Sequence, residues 1–185
     1  MTPTSQTPAP SRPPGRPLAY TRTQIALHWL VAGLVLVQYS TSGAIVRTHS
    51  IHLVIGQRLN PTDLILHTIH NRAGLTIVAL MFGRLALRLW AGAPLPGGST
   101  PGPTTLLAQG VHAAFYAVLI AEGLTGAVAA YFWWPISAVH VILFDVLLAL
   151  VTVHVAAALW HAFILRDCVV HRVGFRRLFG GRSMD

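Results

Sequence analysis

AVHVILFDVLLALVTVHVAAALWHAFILRD, residues 138–167, decides the fold. Between Ala138 and Leu165 the only charged side chain is Asp145. A helix needs about 20 mainly apolar residues to cross a bilayer, and this stretch exceeds that. The span it defines runs near Ile136–Leu165, interrupted by Asp145. It also carries His140, His154 and His161. A ligating or ionisable side chain inside a span is costly and marks function by default.

Three more stretches upstream qualify as spans. The first lies near Ile25–Val46, bounded by Arg22 and Arg47. The second lies near Leu64–Trp90, with Arg72 towards one end and Arg84 and Arg88 towards the other. The third lies near Leu106–Trp133, interrupted by Glu122. After Trp90 the linker APLPGGSTPGPTT is too dense in Pro and Gly for a helix to cross it. Trp90, Trp133, Trp134 and Trp160 sit near span ends, where amphipathic aromatics favour the headgroup level. Helices satisfy their own backbone hydrogen bonds in lipid. The expected fold is therefore an all-α membrane protein, a bundle of four transmembrane helices.

Composition agrees. Charged residues are 10% of the chain and hydrophobic residues 54%, where a soluble domain has about 25% charged. Mean hydropathy is +0.60. The 185 residues suit a single domain. The 13 basic residues are all Arg, and five acids leave a formal charge of +8. These Arg flank apolar runs and form no stripe on a polar face, so they encode membrane topology, and no nucleic-acid partner is expected. The single Cys168 excludes an intramolecular disulfide and a Cys-only metal site. Covalent haem attachment is excluded as well, because the Cys-x-x-Cys-His signature is missing.

Residues 1–19, rich in Pro, Ser and Thr, read as a disordered cytoplasmic tail without the apolar core of a secretory leader. Residues 20–173 form the four-span domain, and 174–185 a basic cytoplasmic tail. With both termini on one side, that side holds ten Arg; Arg47, Arg58 and Arg72 are left for the other. The positive-inside rule then puts both termini in the cytoplasm.

Ten His in so apolar a chain need an account. His140 and His154 are 14 residues apart, about 21 Å along a helix and within about 40° of one direction. One therefore lies near each leaflet, both facing into the bundle. By depth His70 enters the second span level with His140, and His28 lies in the first span level with His154. Two axial pairs follow, His70 with His140 and His28 with His154. Paired neutral imidazoles on opposite faces of a flat macrocycle describe bis-His haem, which favours electron transfer over oxygen binding. A zinc site would need ligands converging on one ion, which two separate levels do not offer.

The chain resembles the bacterial cytochrome b561 family of four-span, di-haem membrane proteins, and more loosely the cytochrome b subunits of membrane dehydrogenases and hydrogenases. The resemblance covers about residues 19–173. It rests on YTRTQIALHW with His28, IHNRAG with His70 and Gly74, GVHAAFY with His112, and the segment VHVAAALWHAFILRD with His154, preceded by His140. It implies two non-covalent haem b groups, with His28, His70, His140 and His154 as axial ligands to the iron, in agreement with the depth pairing. His67 rivals His70, since residues three apart share a helix face. His70 is preferred because it precedes Gly74 by four positions, as in the family.

The chain departs from the family where Glu122-Gly123 replaces a common apolar-Pro pair, and where residues 48–60 have no clear counterpart. His161 lies two turns beyond His154 on nearly the same face. Together with Trp29, Arg84 and Arg88 it is a candidate contact for a quinone or for haem propionates, to which Arg offers charge-assisted hydrogen bonds. His112, at a span entrance, reads as a structural or quinone-edge residue. Asp145, five residues from His140, is a candidate acceptor for a ligand imidazole.

The resemblance implies an oxidoreductase of the superoxide oxidase kind, passing electrons from a periplasmic donor to membrane ubiquinone. The anion-attracting balance of Arg47, Arg58 and Arg72 against Asp63 on the outer face agrees with superoxide as that donor. The alternative is an electron-relay subunit that docks a dehydrogenase or a periplasmic redox partner.

Overall fold

The computed structural model describes residues 20–52, 58–91 and 103–166. The tails expected at 1–19 and 174–185 lie outside the described residues. The elements are α1 (Arg22–His52), α2 (Pro61–Ala91), α3 (Pro103–Tyr131) and α4 (Ser137–Trp160). A 3-10 turn, Trp134–Ile136, leads into α4, and a π-helical turn, His161–Leu165, ends it. Among the described residues there is no strand, and all four helices are long and apolar enough to cross a membrane.

Local chemistry fixes the helix starts. Thr21 and Gln24 form a capping box. The Gln24 N–H donates to Thr21 Oγ1 at 3.2 Å, and the Thr21 N–H donates to Gln24 Oε1 at 3.0 Å. At α2 the Thr62 N–H donates to Asn60 Oδ1 at 2.9 Å, and Pro61 occupies the first turn, where its missing N–H costs nothing. Asp63 adds a negative charge at the positive end of the α2 dipole.

Helix α1 is longer than its apolar run suggests. It continues through Arg47 to His52, past the end expected for the first span near Val46. Arg47 does not end the helix because its charge is met from α2. Its Nη2 donates to Asp63 Oδ1 at 2.7 Å, and its Nε donates to the same carboxylate at 3.0 and 3.1 Å.

The bundle winds α1 on α2, α2 on α3 and α3 on α4. Its small apolar centre takes Val31 from α1, Ile77 and Met81 from α2, Leu119 from α3 and Leu147 from α4. Gly123 sets the α2–α3 spacing: a Cβ there would overlap Val78 Cγ2. Many large apolar side chains face outward, among them Leu36, Val46, Leu89 and Phe163. In lipid that exposure carries no hydrophobic penalty.

Helices α1 and α4 close the ring differently. They pack less closely than the helices adjacent in sequence, and rings face one another between them: His28 with His154, and Tyr39 stacked on Phe144 at 6.3 Å and 16°.

Candidate functional site

The imidazoles gather at two levels, one towards the end of the bundle that holds the start of α1 and the end of α4 (the termini end), the other towards the far end. At the termini end, the His28 and His154 ring centres are 6.4 Å apart across the α1–α4 seam, at 61°. Two imidazoles on one metal, each bonded at about 2 Å, have ring centres about 6 Å apart. The spacing fits a shared iron. His112 of α3 and Phe115 stand edge-on to His154 at 6.2 and 5.3 Å, and Trp29 stands edge-on to His28 at 5.5 Å. His112 spends its Nδ1 proton on the Ala108 carbonyl of its own helix, at 2.6 Å. Arg84 of α2 is within electrostatic range of His28.

At the far end, His70 is carried by α2 and His140 by α4. Each has its Nδ1 anchored. Thr41 gives its hydroxyl proton to the Val37 carbonyl at 2.7 Å, so its oxygen accepts from His70 Nδ1 at 3.1 Å. His140 Nδ1 donates to the Glu122 carbonyl at 2.9 Å. Both rings therefore keep a lone pair on Nε2, the tautomer a metal-binding imidazole needs. Gln38 Nε2 also donates to the His70 carbonyl, at 2.9 Å.

His67 occupies different surroundings. Thr48 gives its proton to carbonyls of α1 and accepts from His67 Nδ1 at 2.8 Å. The His67 ring lies 5.5 Å from that of His49, and His49 stacks on Trp134 at 3.8 Å.

The remaining sequence candidates separate. His161 is half-buried in the π-helical turn, which closes on Arg166 in the left-handed region (φ 50). Such turns recur at functional sites. Arg88 turns to the α2–α3 seam, where its guanidinium lies 5.8 Å from the centre of the Tyr116 ring. There it borders a groove of about 530 Å³ lined by Leu85, Ile120 and Leu124 among others. Asp145 is exposed, and the hydrogen bond expected of it belongs to Glu122.

Sequence reasoning missed Thr41, Thr48 and Gln38. The one available signal was two Thr seven residues apart, Thr41 inside the first apolar span and Thr48 just beyond it. A hydroxyl in a membrane helix ordinarily bonds the carbonyl four residues back, and these two do that as well.

A haem b group fits these residues on three counts. The donors are imidazole nitrogens with no thiolate among them. Aromatic rings face one another across the α1–α4 seam. Gly126 leaves room beside His140, where a Cβ would stand 2.9 Å from Cε1.

Residues 19–175 match the family profile described as prokaryotic cytochrome b561. A curated relative, cytochrome b562 of Cereibacter sphaeroides, is 31% identical over 157 residues, covering 83% of this chain and 94% of the relative.

Proposed function

The chain belongs to the prokaryotic cytochrome b561 family, and from that membership we propose a di-haem protein that carries single electrons between a donor at the far end and membrane ubiquinone. A multi-pass membrane protein for haem b electron transfer is what the family and the four apolar helices establish. The finer reading adds two haems, their ligands, the donor and the quinone.

Haem b supplies a carrier for one electron at a time. His28 and His154 would hold one group at the termini end, and His70 and His140 the other at the far end. The observation that supports this reading is the 6.4 Å spacing of the His28 and His154 rings from two helices, with His70 and His140 each engaged through Nδ1 at the other level. Thr41 and the Glu122 carbonyl hold the far-end rings in the ligating tautomer. Arg84, near His28, would neutralise propionates, and Trp29 and His161 would border the quinone. Arg88, turned to Tyr116, is the outlying member of that set.

The orientation we propose keeps both termini in the cytoplasm of the inner membrane, supported by ten Arg against three. The far end then faces the periplasm and superoxide is the donor. Arg58 and Arg72 are exposed there, while Arg47 is held by Asp63. A basic rim raises the local concentration of a small anion. Two superoxide ions give up one electron each and leave as O₂. One ubiquinone takes both electrons with two protons and leaves as ubiquinol.

The experiment is stoichiometry on the purified protein alone. Pyridine haemochrome analysis should return two haem b per chain, and superoxide consumption with added ubiquinone should yield one quinol per two superoxide. One haem per chain would remove the two-level reading. Two haems with no superoxide consumption would move the chain to the alternative, a relay subunit fed by a dehydrogenase or periplasmic redox protein.

A further inference from the structure

Glu122 is an acid in a membrane helix at a position where the resembling proteins commonly carry an apolar residue. A carboxyl group inside a span is costly and needs a reason. Its side chain is 13% exposed and turned into the bundle. Oε1 lies 3.4 Å from His140 Nδ1, the same nitrogen that donates to the Glu122 carbonyl at 2.9 Å. Thr125 Oγ1 lies 3.5 Å from that nitrogen, with its own proton given to the Ala121 carbonyl at 2.8 Å. Every acceptor around Nδ1 thus comes from one turn of α3. Oε2 is buried and has no hydrogen-bond partner.

The local sequence builds this contact. Gly123 lets α3 close on α2, since a Cβ there would overlap Val78. Gly126, one turn after Glu122, leaves space for the His140 ring; a Cβ would stand 3.2 Å from Nδ1. Glu122, Gly123 and Gly126 therefore act together, and the acid is aimed at the imidazole by the glycines beside it.

We propose that Glu122 is a positioning residue for the far-end haem, its carboxylate standing 3.4 Å from the His140 Nδ1 and so lowering that haem's reduction potential relative to the other. The proposal rests on His140 being an axial ligand. A carboxylate behind a ligating imidazole fixes the ring and raises its basicity. A more basic axial ligand and a nearby negative charge both favour the more positive oxidised iron. The termini-end level has no equivalent: the acids within the described spans are Asp63, Glu122 and Asp145, and none is paired with His28 or His154. The two haems are thereby ordered in potential, the far-end one lower, which makes electron flow towards the termini end downhill.

The test is redox titration of the full-length, haem-loaded protein, with the far-end haem identified as the one lost in His140→Ala. Glu122→Gln should raise the midpoint of that haem alone and shift its low-spin ferric EPR signal, with two haems retained. Glu122→Asp should stay closer to the unsubstituted protein on both readouts. If Glu122→Gln sheds the haem, retention and a near-native midpoint in Glu122→Asp still support the carboxylate, and loss in both variants overturns it in favour of packing alone. Two retained haems with unmoved midpoints in Glu122→Gln also overturn it. If His140→Ala keeps both haems, the ligand reading fails and takes this proposal with it; one haem in His140→Ala with an unmoved potential in Glu122→Gln removes only the proposal.

Discussion

Thr41 Oγ1 accepts the His70 Nδ1 proton at 3.1 Å while giving its own proton to the Val37 carbonyl at 2.7 Å. A single hydroxyl thus fixes which nitrogen of His70 is free. Thr41 is 5% exposed, so no water replaces it. Thr41→Val should leave the Nδ1 proton without a partner, a cost of about 1–3 kcal/mol for a buried donor. Partners behind a metal ligand typically contribute about 10–100-fold in affinity. Titration of the apoprotein with haem should show that weakening at one of two sites, with recovery in Thr41→Ser. Equal affinity in all three proteins would contradict it.

The ligand pairs should separate by substitution. His140→Ala and His70→Ala should each lose the same haem, and His28→Ala and His154→Ala the other. His67→Ala and His112→Ala should keep both, since His67 belongs to the stack with His49 and Trp134 and His112 bonds its own helix. Haemochrome content and low-spin EPR of each variant decide this. Loss of a haem in His67→Ala with full retention in His70→Ala would exchange those two roles.

What was legible in the sequence followed from quantities that one helix contains. Four apolar runs gave four spans, and the interval from His140 to His154 gave two levels on one face. Relations between helices were hidden. Arg47 looked like the end of the first span because its charge stood alone in sequence; Asp63, 16 residues later, meets it across the α1–α2 turn and the helix continues. Asp145 looked like the acid for His140 because it is five residues away on the same helix, but five steps rotate it by about 140° and leave it exposed. The acid that does approach His140, Glu122 with Oε1 at 3.4 Å, comes from α3, 18 residues upstream. Counting along α4 had no means of finding it.

Gly126 should tolerate no side chain. A Cβ there would approach His140 Cε1 to 2.9 Å and Nδ1 to 3.2 Å, and the ring has little room to retreat while its Nδ1 holds the Glu122 carbonyl. Gly126→Ala should therefore deplete the far-end haem. Gly33→Ala is the control, since nothing lies within 4 Å of its Cβ position. Alanine in a helix interior gains about 1 kcal/mol over glycine, so that variant should keep both haems and match or exceed the native Tm. Full haem content in Gly126→Ala would show that the ring moves freely.

Cys168 gives a direct reading of orientation. It is the only cysteine in the chain and follows the π-helical turn by three residues. With both termini in the cytoplasm, a membrane-impermeant maleimide should label it in inverted inner-membrane vesicles and not in intact spheroplasts. The opposite pattern would reverse the orientation and move the donor to the termini end.

His161 carries the prediction about the quinone. It begins the π-helical turn, seven residues after His154, about two turns on and about 20° away in direction. The turn is held at its end by the Arg166 N–H bonding the His161 carbonyl, with Arg166 in a left-handed conformation that an L-residue adopts at a cost. A strained closure directly after a half-buried imidazole orients that ring rather than letting it fray with the helix end. If the ring orients a quinone headgroup beside the His28–His154 level, His161→Ala should keep both haems and accept electrons from the far end at the native rate. Quinone reduction should then fall by about tenfold or more, since losing an orienting contact to a reacting group is felt strongly in rate. Stopped-flow absorbance separates the two steps: haem reduction unchanged, reoxidation by ubiquinone slowed. Native reoxidation in this variant would return His161 to a structural place in the helix end and direct the search for the quinone site to the far-end haem, around exposed Arg72.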